Sequence, residues 1–165
     1  MAIDDESFDL LLATVQRFVQ ERLMPAEHDL ERHDEVPPAL VQAMKELGLF
    51  GLTVPEAYGG IGLSAAQEVQ VNFELGRTAP AFRSVFGTNI GIGSQGILMD
   101  GTPEQKAEYL PKVASGELVM SFALTEPDAG TDAASLKTSA RLDGDHYVLN
   151  GTKRYITNAP RAGAF

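Results

Sequence analysis

The spacing of apolar residues changes period near Ser115-Gly116, and no single secondary structure can satisfy both patterns. Before that point apolar side chains recur every three or four residues. After it, short alternating runs are separated by Asp143-Gly144 and Asn150-Gly151, both tight hairpin signals. The expected class is α+β: an amino-terminal all-α helical bundle over residues 1–117, then the beginning of an antiparallel β-domain over 118–165.

Within the first part, Phe8, Leu11, Leu12, Val15, Phe18, Val19 and Leu23 lie at helical spacing, and Pro25 is expected to stop the run. A second helix opens at Pro37-Pro38, presents Leu40, Val41, Met44 and Leu47 on one face, and ends at Gly48. Ser64 with Gln67 predicts a capping box for a helix reaching about Ala79. Residues 82–99 are apolar on most sides and read as one buried helix. Thr102 with Gln105, and Pro103 at the first helical position, predict a second capping box and a helix toward Leu110. Strands are expected at Val119–Leu124, Thr138–Leu142, His146–Leu149 and Thr152–Thr157, paired as a meander. A meander of so few strands leaves an apolar face and an unpaired edge, so the chain is expected to be part of a longer protein.

Several function classes drop out. With no cysteine, thiol nucleophiles and thiolate metal sites are absent. His28, His33 and His146 form no pair at metal-ligand spacing, and Asp128–Asp132 lacks the spacing of a calcium loop, so no metal is expected. Gly91-Ile92-Gly93-Ser94-Gln95-Gly96 is a literal GxGxxG, but it sits in a helix-like apolar run with no strand before it. Small residues that let helices approach closely explain it better than dinucleotide binding. The formal net charge is −10, divided as 8 basic and 21 acidic residues up to 136 and 5 against 2 from 137 onward. The acidic part disfavours nucleic acid, and an anionic ligand is expected near the last third. No segment suits a signal peptide or membrane span, and the simplest location is cytoplasmic.

Phe122-Ala123-Leu124-Thr125-Glu126-Pro127-Asp128-Ala129-Gly130-Thr131-Asp132 carries the chemical interest. A strand runs into a loop stiffened by Pro127, with a hydroxyl at Thr125 and backbone amides near Gly130 and Thr131 that suit a planar heterocycle and a pyrophosphate. On these residues alone an ordinary polar turn is the favoured reading. A second stretch follows, Asn150-Gly151-Thr152-Lys153-Arg154-Tyr155-Ile156-Thr157-Asn158.

In order and spacing the two stretches closely resemble the hallmark motifs of the acyl-CoA dehydrogenase family. Tyr58–Ser64, and Gly101–Lys106 before Tyr109-Leu110-Pro111, resemble its helical domain as well. The resemblance covers nearly the whole chain but only the first half of a typical member. It implies an oxidoreductase that takes an acyl-CoA thioester to the 2,3-enoyl-CoA with FAD as cofactor. It also implies an electron-transfer flavoprotein or similar acceptor and a homo-oligomer, tetramer or dimer. By the same resemblance Phe122, Ala123, Leu124, Thr125, Gly130, Thr131, Tyr155, Ile156 and Thr157 would contact FAD, and Thr131 the CoA portion of the substrate. Thr131 and Tyr155 stand where the family often has Ser and Trp. Glu126 belongs to the motif and is not the family's base, which is expected beyond Phe165, so no catalytic residue is assigned in this chain. An acyl-CoA oxidase or flavin monooxygenase of the same architecture, or a non-catalytic helical interaction module, remains an alternative.

Overall fold

The computed structural model describes residues 3–165. Among these, seven α-helices lead into one two-stranded antiparallel sheet. Helix α1 (Asp5–Phe18) starts at Asp4, whose carboxylate accepts the Ser7 amide at 2.9 Å and so satisfies a free donor of the first turn. Phe8, Val15 and Phe18 form its buried stripe. Pro25 does not stop the chain. The helix widens into a π segment (Val19–Leu23), tightens into a 3-10 segment (Met24–Ala26) and continues as α2 (Glu27–His33). Pro25 falls in the first turn of the 3-10 segment, where a missing amide leaves no bond unmade.

Helix α3 (Pro38–Glu46) buries Leu40 and Met44 and closes on Gly48 at φ 72°. Helices α4 (Ala65–Leu75) and α7 (Pro103–Ser115) both carry the expected capping boxes, at Ser64/Gln67 and Thr102/Gln105. Helix α4 ends before Ala79 because Glu27 on α2 accepts the Thr78 hydroxyl at 2.8 Å and the Ala79 amide at 2.7 Å, drawing the turn away from the helix axis.

The single buried helix expected over 82–99 is instead two helices, α5 (Pro80–Gly87) and α6 (Gln95–Asp100), separated by turns, with Ile92 and Met99 exposed. The break is packed from inside. A Cβ at Gly93 would lie 2.6 Å from the Met120 Cβ and 2.7 Å from the Thr88 carbonyl oxygen, so only glycine fits there. The small residue admits the 118–121 segment rather than another helix.

Phe50, Phe82, Phe86, Met44, Leu75 and Ile90 fill the core of the bundle, with the Phe50 and Phe86 rings tilted against each other at 6.0 Å. A smaller cluster of Val54, Leu110, Val113, Ala114 and Met120 joins α7 to the segment that follows it.

That segment corrects the β expectation. The sheet consists of β1 (Ser139–Asp143) and β2 (His146–Asn150), turning at Asp143-Gly144 with Gly144 at φ 65°. Val119–Leu124 is extended but not a strand. Its one ladder contact is an isolated parallel bridge from Met120 to Ala164; the Met120 amide donates to the Asn89 side chain and the Leu124 carbonyl accepts from Lys153. Thr152–Thr157 is not a strand either, because Tyr155 (φ 58°) and Asn158 (φ 63°) adopt left-handed backbone and turn the chain. One hairpin thus replaces the expected meander.

Candidate functional site

The two motif stretches, far apart in sequence, lie side by side. The Arg154 amide donates to the Thr125 carbonyl at 2.8 Å. Lys153 Nζ donates to the Leu124 carbonyl and to Glu126 Oε1, each at 2.9 Å. The Ser121 hydroxyl donates to the Thr157 carbonyl at 2.6 Å. Thr125 is therefore bracketed by bonds on either side, and residues 121–126 are stitched to 153–157.

Glu126 is the buried polar centre of this unit, at 6% exposure. It accepts from the Thr138 hydroxyl, from the amides of Lys137 at 2.6 Å and Thr138 at 2.9 Å, and from Lys153. These bonds, the Thr138 hydroxyl first, then the Lys137 amide and Lys153, hold its carboxyl down from the ordinary 4.5 to about 2. Its own backbone closes a tight turn, the Glu126 amide donating to the Ala129 carbonyl at 2.8 Å. Gly130 and Thr131 emerge from that turn exposed. A Cβ at Gly130 would meet nothing nearer than the Thr125 methyl at 4.0 Å, which leaves an open notch between Thr125 and the loop backbone.

Two asparagines anchor the unit to the bundle: Asn158, the last residue of the second motif stretch, and Asn89, which lies in no such motif. Asn89, fully buried, donates to the carbonyls of Val113 and Leu118 and accepts the Met120 amide. Asn158 Nδ2 donates to the Ser84 carbonyl at 2.8 Å and to the Thr88 hydroxyl at 3.1 Å, tying the end of the second motif to α5. A lone asparagine inside the apolar run 82–99 was the available signal for Asn89.

The nine sequence-selected residues do not share one cavity. Phe122 and Ala123 help line a space of about 890 Å³ whose other walls include Ile97, Tyr109, Leu149 and Phe165. Thr157 lines a smaller one, about 280 Å³, against Arg83, Ser84 and Thr88 of α5 and the turn after it. Leu124, Thr125, Gly130, Thr131, Tyr155 and Ile156 border neither. Phe122 at 46% and Tyr155 at 77% exposure leave broad apolar surface open beside Thr125. The basic excess of the last third is largely spent on local contacts. Lys137 pairs with Asp128, Arg141 with Asp143, Lys153 with Glu126 and Arg161 with Glu35, while Arg154 lies over the Tyr155 ring at 4.6 Å.

The family described as acyl-CoA dehydrogenase, N-terminal domain, matches residues 5–117. Its middle-domain counterpart matches residues 121–165. The chain belongs to the acyl-CoA dehydrogenase family. Among curated relatives it is 44% identical to (2S)-methylsuccinyl-CoA dehydrogenase of Cereibacter sphaeroides over 158 residues, covering 95% of this chain and 29% of that protein. A structure solved in work on the electron transferring flavoprotein of Acidaminococcus fermentans superposes with a TM-score of 0.88 at 34% identity, over 98% of this chain and 43% of that one. An FAD complex of acyl-CoA dehydrogenase from Bacillus anthracis superposes with a TM-score of 0.84 at 38% identity, over 98% of this chain and 28% of that one. The chain spans less than half the length of each.

In acyl-CoA dehydrogenase terms the helical bundle and the stitched motif unit fall in the two matched regions, with Asn89 and Met120 linking them. Among the described residues no helix is long and apolar enough to cross a membrane, and no cluster of metal ligands occurs.

Proposed function

We propose that this chain is the amino-terminal portion of a flavoprotein acyl-CoA dehydrogenase and carries one wall of its FAD site, with the division between its two domains at 117/118. The carrying observation is the pairing of the two motif stretches through Arg154–Thr125 and Lys153–Glu126, beside which the aromatic surfaces of Phe122 and Tyr155 and the Gly130 notch are open. In this reading Phe122 to Thr125 and Tyr155 to Thr157 flank the isoalloxazine ring, with Thr125 and Thr157 as its hydrogen-bonding side chains. Gly130 and Thr131 lie toward the phosphates, and Thr131 also toward the CoA portion of the substrate. The notch fits that use, since a close backbone approach needs a residue without Cβ.

When bound, FAD supplies the hydride acceptor for the β-carbon of the thioester. The side chains here bind and orient. None is assigned as the base that takes the α-proton, and Glu126, buried and held ionised with its carboxyl down at about 2, is too weak a base for that task. The intact protein is proposed to be a homo-oligomer that passes electrons to an electron-transfer flavoprotein or similar acceptor. The superposition on a chain from work on an electron transferring flavoprotein supports that partner.

The test is anaerobic addition of saturated acyl-CoAs to the flavin-loaded, full-length natural protein. Bleaching of the oxidised flavin with formation of enoyl-CoA is expected. Tight acyl-CoA binding with no bleaching for any chain length contradicts the reading.

A further inference from the structure

We propose that Glu126 is a positioning residue that sets the separation of the two flavin-contacting segments, acting through Lys153. The role deepens the flavin reading above and rests on it.

A buried carboxylate is retained at a desolvation cost, which its partners must offset. Here the partners come from two other parts of the chain. The amides of Lys137 and Thr138 and the Thr138 hydroxyl approach from the start of β1, and the Lys153 ammonium approaches from the second motif. The tight turn between Glu126 and Ala129 fixes the direction in which the side chain leaves the first motif. Lys153, in turn, grips both Leu124 and Glu126, the residues on either side of Thr125. The next residue, Arg154, closes on Thr125 itself. The spacing between Thr125 and Tyr155–Thr157 is thus set by a chain of contacts whose central member is this carboxylate. The charged groups around it are Lys153, in direct contact, and Lys137, whose ammonium turns outward to Asp128.

Glu126→Gln replaces one acceptor by an NH₂ group facing donors, and Lys153→Met removes the other half of the link. Lys137→Ala is the control, because only the Lys137 amide reaches Glu126. Hydrogen exchange of backbone amides, measured by NMR on the chain itself, reads the Arg154 amide directly. Its exchange should quicken by about tenfold or more in Glu126→Gln and in Lys153→Met, the loss of a charge-assisted contact. In Lys137→Ala it should match wild type, and protection in α4 should hold in all three. An unchanged Arg154 amide in Glu126→Gln overturns the proposal. Should Glu126→Gln lose protection in α4, Lys153→Met decides alone, and an unchanged Arg154 amide there overturns it equally.

FAD titration of the same samples separates the two layers. Weaker binding in both variants than in wild type supports the positioning role. Equal binding in all overturns it. A wild-type chain that takes up no FAD, with Arg154 still responding, overturns the flavin reading itself.

Discussion

Asn89 Oδ1 accepts the Met120 amide at 2.9 Å, and its Nδ2 donates to the carbonyls of Val113 and Leu118 at 3.0 and 2.8 Å. One buried side chain therefore satisfies backbone groups at the end of α7 and just before the first motif. The extended segment runs without a strand partner on that side because Asn89 stands in for one.

Asn89→Leu should accordingly cost about 3 kcal/mol, since it leaves buried backbone groups unpaired while keeping the volume. The measure is urea unfolding followed by far-ultraviolet circular dichroism. A loss below about 1 kcal/mol would mean that water or a shifted backbone replaces these bonds.

Glu126 sets an acid limit with a definite sign. Its folded-state pKa of about 2 lies below the ordinary 4.5, so its contribution is complete above about pH 4.5 and is lost as pH falls toward 2. The difference in urea midpoint between wild type and Glu126→Gln should be constant near neutrality and shrink across that window. A difference that persists at pH 2 would show that the effect of Gln is steric.

Two glycines of the Gly91–Gly96 stretch, Gly93 and Gly96, should behave oppositely. Gly93→Ala places a methyl 2.6 Å from the Met120 Cβ and should destabilise by about 1–3 kcal/mol. Gly96, within α6, has nothing within 4 Å of a new Cβ, and Ala there should be neutral or stabilise by up to about 1 kcal/mol. Thermal unfolding of the two variants checks this. Equal losses at both positions would contradict the packing difference between them.

Features legible in the sequence were those set by local chemistry. The Ser64 and Thr102 capping boxes, the start of α3 at Pro38 and the Asp143-Gly144 turn each depend on residues within four positions of one another. Illegible features depended on distant partners. Alternation at Val119–Leu124 signals a strand, but a strand needs a neighbour, and here Asn89 and the 163–164 backbone take that place. The left-handed backbone at Tyr155 cannot be read from an aromatic residue, which rarely adopts it. For the site, the motif residues were legible by resemblance. Their convergence was not, because Lys153 and Glu126 are 27 positions apart and neither advertises its partner.

The most direct test of the central claim is titration of the isotope-labelled chain with FAD, followed residue by residue in backbone amide spectra. Weak binding is expected from a single wall, and shift mapping registers it. The account predicts concentration-dependent shifts at Phe122–Thr131 and Tyr155–Thr157, reduced in Thr157→Val. Silence of both segments, or shifts concentrated on Gly93–Gly96 instead, would contradict it.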